Sequence, residues 1–205
     1  MKVSIIIPYN KDRGWLRDAI ESVHNQTYKG EIELILSQSD NRVGYNINRG
    51  IEKATGEYVK FFAEDDILTP NCIEDSVKAI KGYDFIHGKA YNFNLKKPYR
   101  NNTHTPSVKV PTLEDLLTVN YIHGGTLFYR RDVFERFGLF DETLWTGEEY
   151  EFNLRLLSQG AKIGYVNKIL FNYRLHDLQK SIGKQTLEYK ARRKTEIERI
   201  KELYR

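Results

Sequence analysis

Three consecutive carboxylates, Glu64-Asp65-Asp66, directly follow the largely apolar run from Tyr58 to Ala63, so a predicted strand ends on a dense negative charge. Neighbouring negative charges repel one another, and the repulsion destabilises a fold unless a positive group lies beside them. Mg²⁺ or Mn²⁺, which prefer oxygen ligands, would compensate this charge and usually bind a substrate's phosphates too. The alternative is a solvated acidic loop before a helix, because Thr69-Pro70 is typical of an N-cap followed by proline.

The composition predicts one soluble domain in the cytoplasm. The 205 residues include no apolar run near the roughly 20 residues that a membrane helix needs. No charged segment followed by an apolar one opens the chain, and the single Cys72 cannot form an internal disulfide. The net charge of +4 weakly favours an anionic partner.

The N-terminal part of the chain alternates between strand and helix patterns. Short apolar runs predict strands at 3–8, 33–36 and 58–62, and apolar residues at helical spacing predict helices at 15–23 and 47–54. Gly56 is placed where a helix C-terminus favours positive φ. This pattern predicts a single α/β, Rossmann-like domain with a mostly parallel central sheet and helices on both faces. Ligands of such sheets bind beyond the carboxyl ends of the strands, where Pro8-Tyr9-Asn10 and Glu64-Asp65-Asp66 lie.

The rest of the chain contains shorter elements. Predicted helices cover 73–80, a capping-box segment from Thr112 and the segment after Gly147; predicted strands cover 85–86, 90–95, 125–130 and 169–173. The polar loop from Lys96 to Pro111 contains three prolines and is expected to be mobile.

A second acidic cluster, Gly147-Glu148-Glu149, begins one of these helices. Carboxylates in a first helical turn often only complement the helix dipole. The functional interpretation is a general base, which must lie within hydrogen-bond reach of the hydroxyl that it deprotonates. Both interpretations stay open from the residues alone.

Several short motifs occur in a defined order along nearly the whole chain. They are Val3–Asn10, Gln26-Thr27-Tyr28, Asn48–Tyr58, the acidic run, Gly138–Glu142, Gly147-Glu148-Glu149 and Tyr173–His176. In this order they resemble the family 2 glycosyltransferases with the GT-A fold. The resemblance implies transfer of a sugar from a nucleotide-diphosphate donor, most simply a UDP-sugar, to a hydroxyl of a glycan or lipid-linked acceptor, with inversion.

The resemblance also implies roles for individual residues. Glu149, with Glu148 as second choice, is expected to be the catalytic base, and Asp66, Glu64 and His176 are expected to bind Mn²⁺ or Mg²⁺. The nucleotide-sugar is expected to contact Pro8, Tyr9, Asn10, Asp40, Asn48, Glu64 and Asp65. Trp145, Gly124 and Gly125 are expected to border the acceptor or its sugar ring. Residues 1–88 would form the nucleotide-sugar half, and 89–186 the acceptor and catalytic-base half.

This sequence departs from the family pattern at the base-binding segment. The family commonly has D-D-G-S after its second strand, whereas this chain has Ser37-Gln38-Ser39-Asp40, and Ile47 replaces an arginine that often precedes the asparagine. The catalytic base is glutamate instead of aspartate. These changes keep a second hypothesis open, in which the chain is a non-catalytic relative that binds a nucleotide or glycan and scaffolds other enzymes.

Residues 187–205 are predicted to form an amphipathic helix of mixed charge. It either packs on the domain or contacts the inner membrane face, where a lipid-linked acceptor would be presented. A homo-oligomer is left open. Nucleic acid is not expected as a partner, because the acidic clusters would repel its phosphates. A dehydrogenase or nucleotidyltransferase is disfavoured, since no glycine-rich phosphate loop follows the first strand.

Overall fold

The computed structural model describes residues 1–94, 101–179 and 187–205. Within these ranges the chain forms one α/β domain. The strands are β1 (Lys2–Tyr9), β2 (Glu31–Gln38), β3 (Tyr58–Phe61), β4 (Ile67–Leu68), β5 (Phe85–Phe93), β6 (Asn102–His104), β7 (Phe128–Arg130) and β8 (Ile163–Arg174). The helices are α1 (Leu16–His24), α2 (Val43–Lys53), α3 (Cys72–Ala79), α4 (Leu113–Thr118), α5 (Asp132–Phe137), α6 (Glu148–Ser158) and α7 (Leu187–Glu202).

All of these strands belong to one sheet. Its order is β2-β1-β3-β7-β5-β8-β4, and β6 pairs with β5. The two long ladders, β1 with β2 and β5 with β8, are parallel, as is the pairing of β1 with β3. Shorter antiparallel pairs join β3 to β7, β7 to β5 and β4 to β8. The predicted α/β fold with a mostly parallel sheet is confirmed.

Strand β1 separates two hydrophobic cores. Val3, Ile5 and Ile7 pack in the core that contains α1 and α3, whereas Ile6 packs in the core that contains α2 and α6. All four side chains are fully buried. Successive side chains of a strand point to opposite faces, so an uninterrupted apolar run is what a strand covered on both faces requires. Helices therefore lie on both faces of the sheet, as predicted.

Gly56 does not have the positive φ that was predicted for it. Helix α2 ends at Lys53 and is followed by Ala54 in an extended conformation. A Cβ at Gly56 would lie 2.7 Å from the Ser4 backbone nitrogen, and the Gly56 N–H donates to Ser4 Oγ at 2.9 Å. Glycine is needed here because the backbones of Gly56 and Ser4 approach closely. The positive φ that was predicted for the helix end is not its reason.

Three predicted element boundaries were wrong. The strands predicted at 85–86 and 90–95 are one strand, β5, whose register against β8 is irregular near Lys89. The strand predicted from Gly125 begins at Phe128, because Gly124–Thr126 forms a 3₁₀ turn. Thr69 is not an N-cap; helix α3 begins at Cys72, and Thr69 Oγ1 donates to the Ile169 carbonyl at 2.9 Å.

The predicted loop from Lys96 to Pro111 is described only from residue 101 onward. This part contains the short strand β6, which pairs antiparallel with β5. Residues 95–100 lie outside the described residues, as do residues 180–186 at the end of the predicted acceptor half.

The short strand β4 places the acidic run beside the end of β8. Ile67 pairs with Asn172, and Leu68 pairs with Phe171. This antiparallel pairing brings residues 64–66 next to residues 173–176, although more than a hundred residues separate them along the chain. The fold thus assembles one site from two distant segments.

Helix α7 packs on the domain through part of its apolar face. Ile200 is fully buried and Ile197 packs against the same core as α6, whereas Leu187 and Leu203 are exposed. Across the described ranges, no helix combines the length and apolar character needed to cross a membrane.

Candidate active site

A cavity of about 540 Å³ opens at the carboxyl ends of β1 and β3. Most of the predicted site residues line it: Pro8, Tyr9, Asn10, Glu64, Asp65, Asp66, Gly124, Gly125, Trp145, Glu148 and Glu149. Asp40, Asn48 and His176 do not line it. The fold therefore brings both acidic clusters to one cavity at the sheet edge that the sequence predicts.

Asp66 is directed into the protein. The residue is 3% exposed, and its Oδ1 accepts a hydrogen bond from the Arg174 backbone N–H at 2.9 Å. Burial, together with the charge of Asp65, raises the pKa of Asp66 well above its usual range. In this conformation Asp66 joins the acidic turn to β8.

Arg174 completes this join through its side chain. Its Nε donates to the Asp65 carbonyl at 2.7 Å, and its Nη2 donates to Asp18 Oδ2 at 2.9 Å. The guanidinium also lies over the rings of Trp15 and Phe93, at 5.7 and 4.9 Å from their centroids. Arg174 therefore holds the acidic turn, α1 and β8 together.

Asp65 and His176 form the most prominent polar pair at the cavity edge. Asp65 Oδ2 lies 2.7 Å from His176 Nε2, and the two side chains are 14% and 12% exposed. The imidazole also packs against the Trp15 ring, with centroids 4.3 Å apart. A carboxylate and an imidazole are thus fixed side by side where solvent reaches them.

Glu64 is paired with a basic residue. Its Oε1 accepts from Arg13 Nη1, and the residue is 6% exposed. Burial and the charge of Asp65 raise the pKa of Glu64, whereas Arg13 opposes this rise. Arg13 supplies the positive group that the dense negative charge of the acidic run requires.

The predicted metal ligands do not converge on one point. Among the residues that the structure describes, no three His, Cys, Asp or Glu side chains are arranged to hold a metal ion. Asp66 and Glu64 are directed to Arg174 and Arg13 instead. The Asp65 carboxylate is a suitable donor for Mn²⁺ or Mg²⁺, and the His176 imidazole beside it could be a second ligand, with phosphate oxygens and water as the others.

The edge of the cavity at the end of β1 contains Tyr9. Asn46, which is 2% exposed, donates through Nδ2 to the Tyr9 and Ser39 carbonyls, both at 3.1 Å. These bonds fix the ends of β1 and β2 relative to α2. Asp40 is exposed and lies outside the lining, whereas its neighbour Asn41 belongs to it.

Asn48 has a structural position instead of the predicted contact with the nucleotide. It is 2% exposed; its Nδ2 donates to the Phe140 carbonyl at 2.9 Å and to Glu142 Oε1 at 2.8 Å. Its Oδ1 accepts from the Phe140 N–H at 3.0 Å. The side chain is directed away from the cavity because it joins α2 to the segment after α5.

Glu149 is half-buried and packs against the Gly124-Gly125 turn. A Cβ at Gly124 would lie 2.8 Å from Glu149 Oε1, and a Cβ at Gly125 would clash with the Phe171 ring. The fully buried Lys60 holds this turn, since its Nζ donates to the Gly125 carbonyl at 2.7 Å and to the Leu127 carbonyl at 3.1 Å. The carboxylate of Glu149 therefore rests on a turn that two glycines shape.

Helix α7 covers the side of the cavity that Trp145 lines. The Trp145 ring contacts Tyr189 at 4.7 Å between centroids, and the Arg192 guanidinium lies 4.3 Å from the Trp145 ring centroid. A Cβ at Gly147, which has φ of +84°, would lie 2.9 Å from Ile197 Cδ1. The turn that precedes Glu149 is thus packed directly against α7.

Some cavity residues were not predicted as site residues: Arg13, Asn46, His123, Asn153, Tyr189 and Arg193. Helical spacing could have identified Asn153, which lies four residues after Glu149 on the same face of α6. His123 directly precedes the glycine pair, and burial lowers its pKa to about 3, so its imidazole is neutral at pH 7. Arg13 and Arg193 carried no signal beyond their charge.

A model of glycosyl transferase family 2 matches residues 29–138, which is more than half of the chain. The chain belongs to glycosyl transferase family 2. The matched segment includes the acidic run and the glycine pair, and Glu149 lies shortly after it. The predicted family is confirmed.

Relatives of this family 2 chain are described as glycosyltransferases. An uncharacterized glycosyltransferase of Rickettsia typhi is 28% identical over 213 residues, covering 86% of this chain and 65% of the relative. One of Bacillus subtilis, YwdF, is 26% identical over 161 residues, covering 76% of this chain and 58% of the relative. The chain spans about two thirds or less of the length of these relatives.

Solved structures share the fold. Staphylococcus aureus TarS, residues 1–349 in complex with UDP-GlcNAc, superposes with a TM-score of 0.69 at 17% identity, covering 87% of this chain and 60% of that one. The complex of the same TarS fragment with UDP gives a TM-score of 0.68 at 18% identity, covering 85% and 61%. This likeness confirms the predicted GT-A architecture.

Proposed function

We propose that this chain transfers a sugar from a UDP-sugar to an acceptor hydroxyl, with inversion at the anomeric carbon and with Glu149 as the catalytic base. The observation that carries this proposal is that two acidic clusters, Glu64-Asp65-Asp66 and Glu148-Glu149, line the same cavity. A sugar transferase needs one group to stabilise the negative charge on the departing diphosphate and another to deprotonate the acceptor hydroxyl. A simple nucleotide-binding module would not need the second cluster.

The donor would occupy the part of the cavity lined by Pro8, Tyr9 and Asn10. This placement follows the rule that ligands of such sheets bind at the carboxyl ends of the strands. The TarS structures contain UDP-GlcNAc or UDP, which supports a uridine nucleotide here. In this proposal residues 1–88 bind the donor, and residues 89–186 supply the catalytic base and the acceptor contacts.

Glu149 would take the proton from the acceptor hydroxyl. The acceptor oxygen then forms a bond to the anomeric carbon as the bond from that carbon to the UDP oxygen breaks on the opposite face, which inverts the centre. Packing against Gly124 fixes the carboxylate of Glu149 before the substrate arrives, and such positioning contributes substantially to rate. Glu148, which is 6% exposed, is the less accessible of the two glutamates.

Asp65 and His176 are the residues that we propose for a Mn²⁺ or Mg²⁺ ion. This revises the set predicted from sequence, Asp66, Glu64 and His176, because Asp66 and Glu64 are directed to Arg174 and Arg13. The ion would neutralise the negative charge that develops on the departing diphosphate.

The acceptor would be a glycan or a lipid-linked saccharide. It would enter beside Trp145 and α7, which cover the side of the cavity nearest Glu149. Contact with the inner membrane face would use the exposed Leu187 of α7 and Leu203 directly after it, because Ile197 and Ile200 pack on the domain. Assembly into a homo-oligomer stays an open part of the proposal.

Thermal melting with nucleotides tests the proposal before an acceptor is known. The chain is melted with UDP, GDP, CMP, ADP and UDP-GlcNAc, each with and without Mn²⁺, since a ligand that binds the native state raises the melting temperature. A Mn²⁺-dependent rise with the uridine nucleotides is expected. No rise with any nucleotide would contradict the proposal and favour a non-catalytic glycan-binding scaffold.

A further inference from the structure

Asn153 is a buried polar residue in the wall of the cavity. It lies on α6 and is 1% exposed, and its Oδ1 makes no hydrogen bond to any residue that the structure describes. Its neighbours along the helix, Phe152 and Leu154, are fully buried apolar residues. A buried amide oxygen without a partner costs free energy, so such a group calls for an explanation.

The other two buried asparagines at this sheet edge are fully engaged. Asn48 uses both ends of its amide, as described above. Asn46 donates to the Tyr9 and Ser39 carbonyls, and its Oδ1 accepts from Ser39 Oγ. Asn153 therefore differs from residues of the same type and equal burial in the same protein.

The position of Asn153 connects it to the proposed catalytic base. Residues four apart on a helix lie on one face with Cβ atoms about 5–6 Å apart, so Asn153 lies one turn beyond Glu149. Both side chains line the cavity. The hydroxyl of Tyr129, fully buried and close enough to Glu149 for the charge to raise its pKa, also has no partner within the described ranges.

We propose that Asn153 binds the acceptor, its Oδ1 accepting a hydrogen bond from a second hydroxyl of the sugar whose first hydroxyl Glu149 deprotonates. This inference rests on the proposed function. It assigns a chemical class to the acceptor, a sugar ring or polyol with a hydroxyl next to the reacting one. Two neighbouring hydroxyl oxygens of a sugar ring lie about 3 Å apart. Glu149 and Asn153, one helical turn apart, can therefore each make a hydrogen bond to one of these two hydroxyls.

Melting of two asparagine variants without any ligand tests the first part of the inference. Asn153→Leu replaces an amide whose Oδ1 has no partner among the described residues by an apolar group of similar size, so its melting temperature should equal or exceed that of the unmodified chain. Asn48→Leu, the matched control, removes three hydrogen bonds and should melt at least 5 °C lower. A loss for Asn153→Leu as large as that for Asn48→Leu would overturn the inference, because Asn153 would then hold a structural water.

Transfer assays test the second part. UDP release from UDP-GlcNAc with Mn²⁺ is measured with p-nitrophenyl glycosides of glucose, galactose, mannose and N-acetylglucosamine as acceptors. Asn153→Leu should raise the acceptor KM about 10-fold, a larger change than the one it causes in UDP affinity. An unchanged acceptor KM would overturn the inference.

The two assays separate the possible failures. If the unmodified chain neither binds UDP nor hydrolyses UDP-GlcNAc, the proposed function fails irrespective of Asn153. If the chain hydrolyses UDP-GlcNAc but uses none of the four glycosides, the melting comparison decides: equal or higher stability of Asn153→Leu supports the inference, and lower stability overturns it.

Discussion

The Nζ of Lys60 lies 2.7 Å from the carbonyl oxygen of Gly125, so a fully buried lysine holds the turn against which Glu149 packs. Burial lowers the pKa of this lysine, because a charged amine in the centre of the sheet is removed from water at a cost in free energy. The two carbonyls that it binds, those of Gly125 and Leu127, offset part of that cost.

Lys60→Met should therefore weaken both fold and catalysis. The variant leaves two carbonyls without their donor, and we expect a loss of about 1–3 kcal/mol in the free energy of unfolding. Catalysis should fall further than UDP affinity, because the turn supports Glu149 and not the nucleotide. Denaturant unfolding and UDP titration measure the two effects, with the exposed Lys53→Met as control. Full stability and activity of Lys60→Met would contradict this role.

The glycine pair should respond differently to alanine at its two positions. A Cβ at Gly124 would meet only the Glu149 side chain and would displace its carboxylate, so Gly124→Ala should stay folded and lose activity. A Cβ at Gly125 meets the Phe171 ring, which is packed, so Gly125→Ala should lose about 1–3 kcal/mol of stability. Melting temperatures and UDP-GlcNAc turnover of both variants check this; equal melting temperatures would be inconsistent with it.

Asp65 and Asp66 should differ in how they affect metal-dependent binding. Asp65→Asn and His176→Gln should each reduce the Mn²⁺-dependent part of UDP affinity at least 10-fold, since these two side chains lie together at the cavity edge. Asp66→Asn should keep the Mn²⁺-dependent part of UDP affinity within about 2-fold, because its amide oxygen can still accept from the Arg174 backbone N–H and hold the acidic turn in place. Calorimetric titration of UDP with and without Mn²⁺ separates them. Loss of the Mn²⁺ effect in Asp66→Asn alone would favour the set predicted from sequence.

Glu33 should make stability depend on acidic pH. Burial alone would raise its pKa, but hydrogen bonds from Ser4 and Thr55 and the neighbouring Lys2 lower it to about 2. The folded pKa is below the ordinary value of 4.5, so the stabilisation is present above pH 4.5 and is lost as the pH falls toward 2. We expect Glu33→Gln to lose about 1–2 kcal/mol at pH 7, after allowance for solvent screening, and well under half of that near pH 2.

Urea unfolding of the unmodified chain and of Glu33→Gln at several pH values measures this difference. The exposed Glu31→Gln, on the same strand, is the control. A difference between Glu33→Gln and the unmodified chain that stays constant from pH 7 to pH 2.5 would contradict the assignment.

The sequence predicted the main architecture because its signals are local. The apolar run at Ile5-Ile6-Ile7 and the acidic residues after β3 identify a sheet edge and its ligand side without any long-range information. The direction of individual carboxylates could not be predicted in this way. Asp66 is directed to Arg174 because β4 pairs with β8, and β4 has two residues, too few for any pattern.

Some roles depended on burial, which residue type alone does not give. Asn48 belongs to a family motif, but its side-chain amide makes hydrogen bonds to Phe140 and Glu142 and does not face the cavity. Lys60 interrupts an apolar strand, and from the sequence its side chain would be expected to be exposed. Only the structure shows that it is buried and donates to the Gly125 carbonyl. Asn153 lies at a predictable position after Glu149, yet only the packed helix shows that its Oδ1 has no hydrogen-bond partner in the described part of the chain.

The central claim is that Glu149 activates the acceptor, and UDP release from UDP-GlcNAc by Glu149→Gln tests it most directly. Removing a general base should slow turnover, including hydrolysis with water as acceptor, by about 10²–10⁴-fold. UDP affinity should stay within about 2-fold of that of the unmodified chain, and Glu148→Gln should retain more activity than Glu149→Gln. Turnover by Glu149→Gln at the rate of the unmodified chain, with the same UDP affinity, would contradict the account.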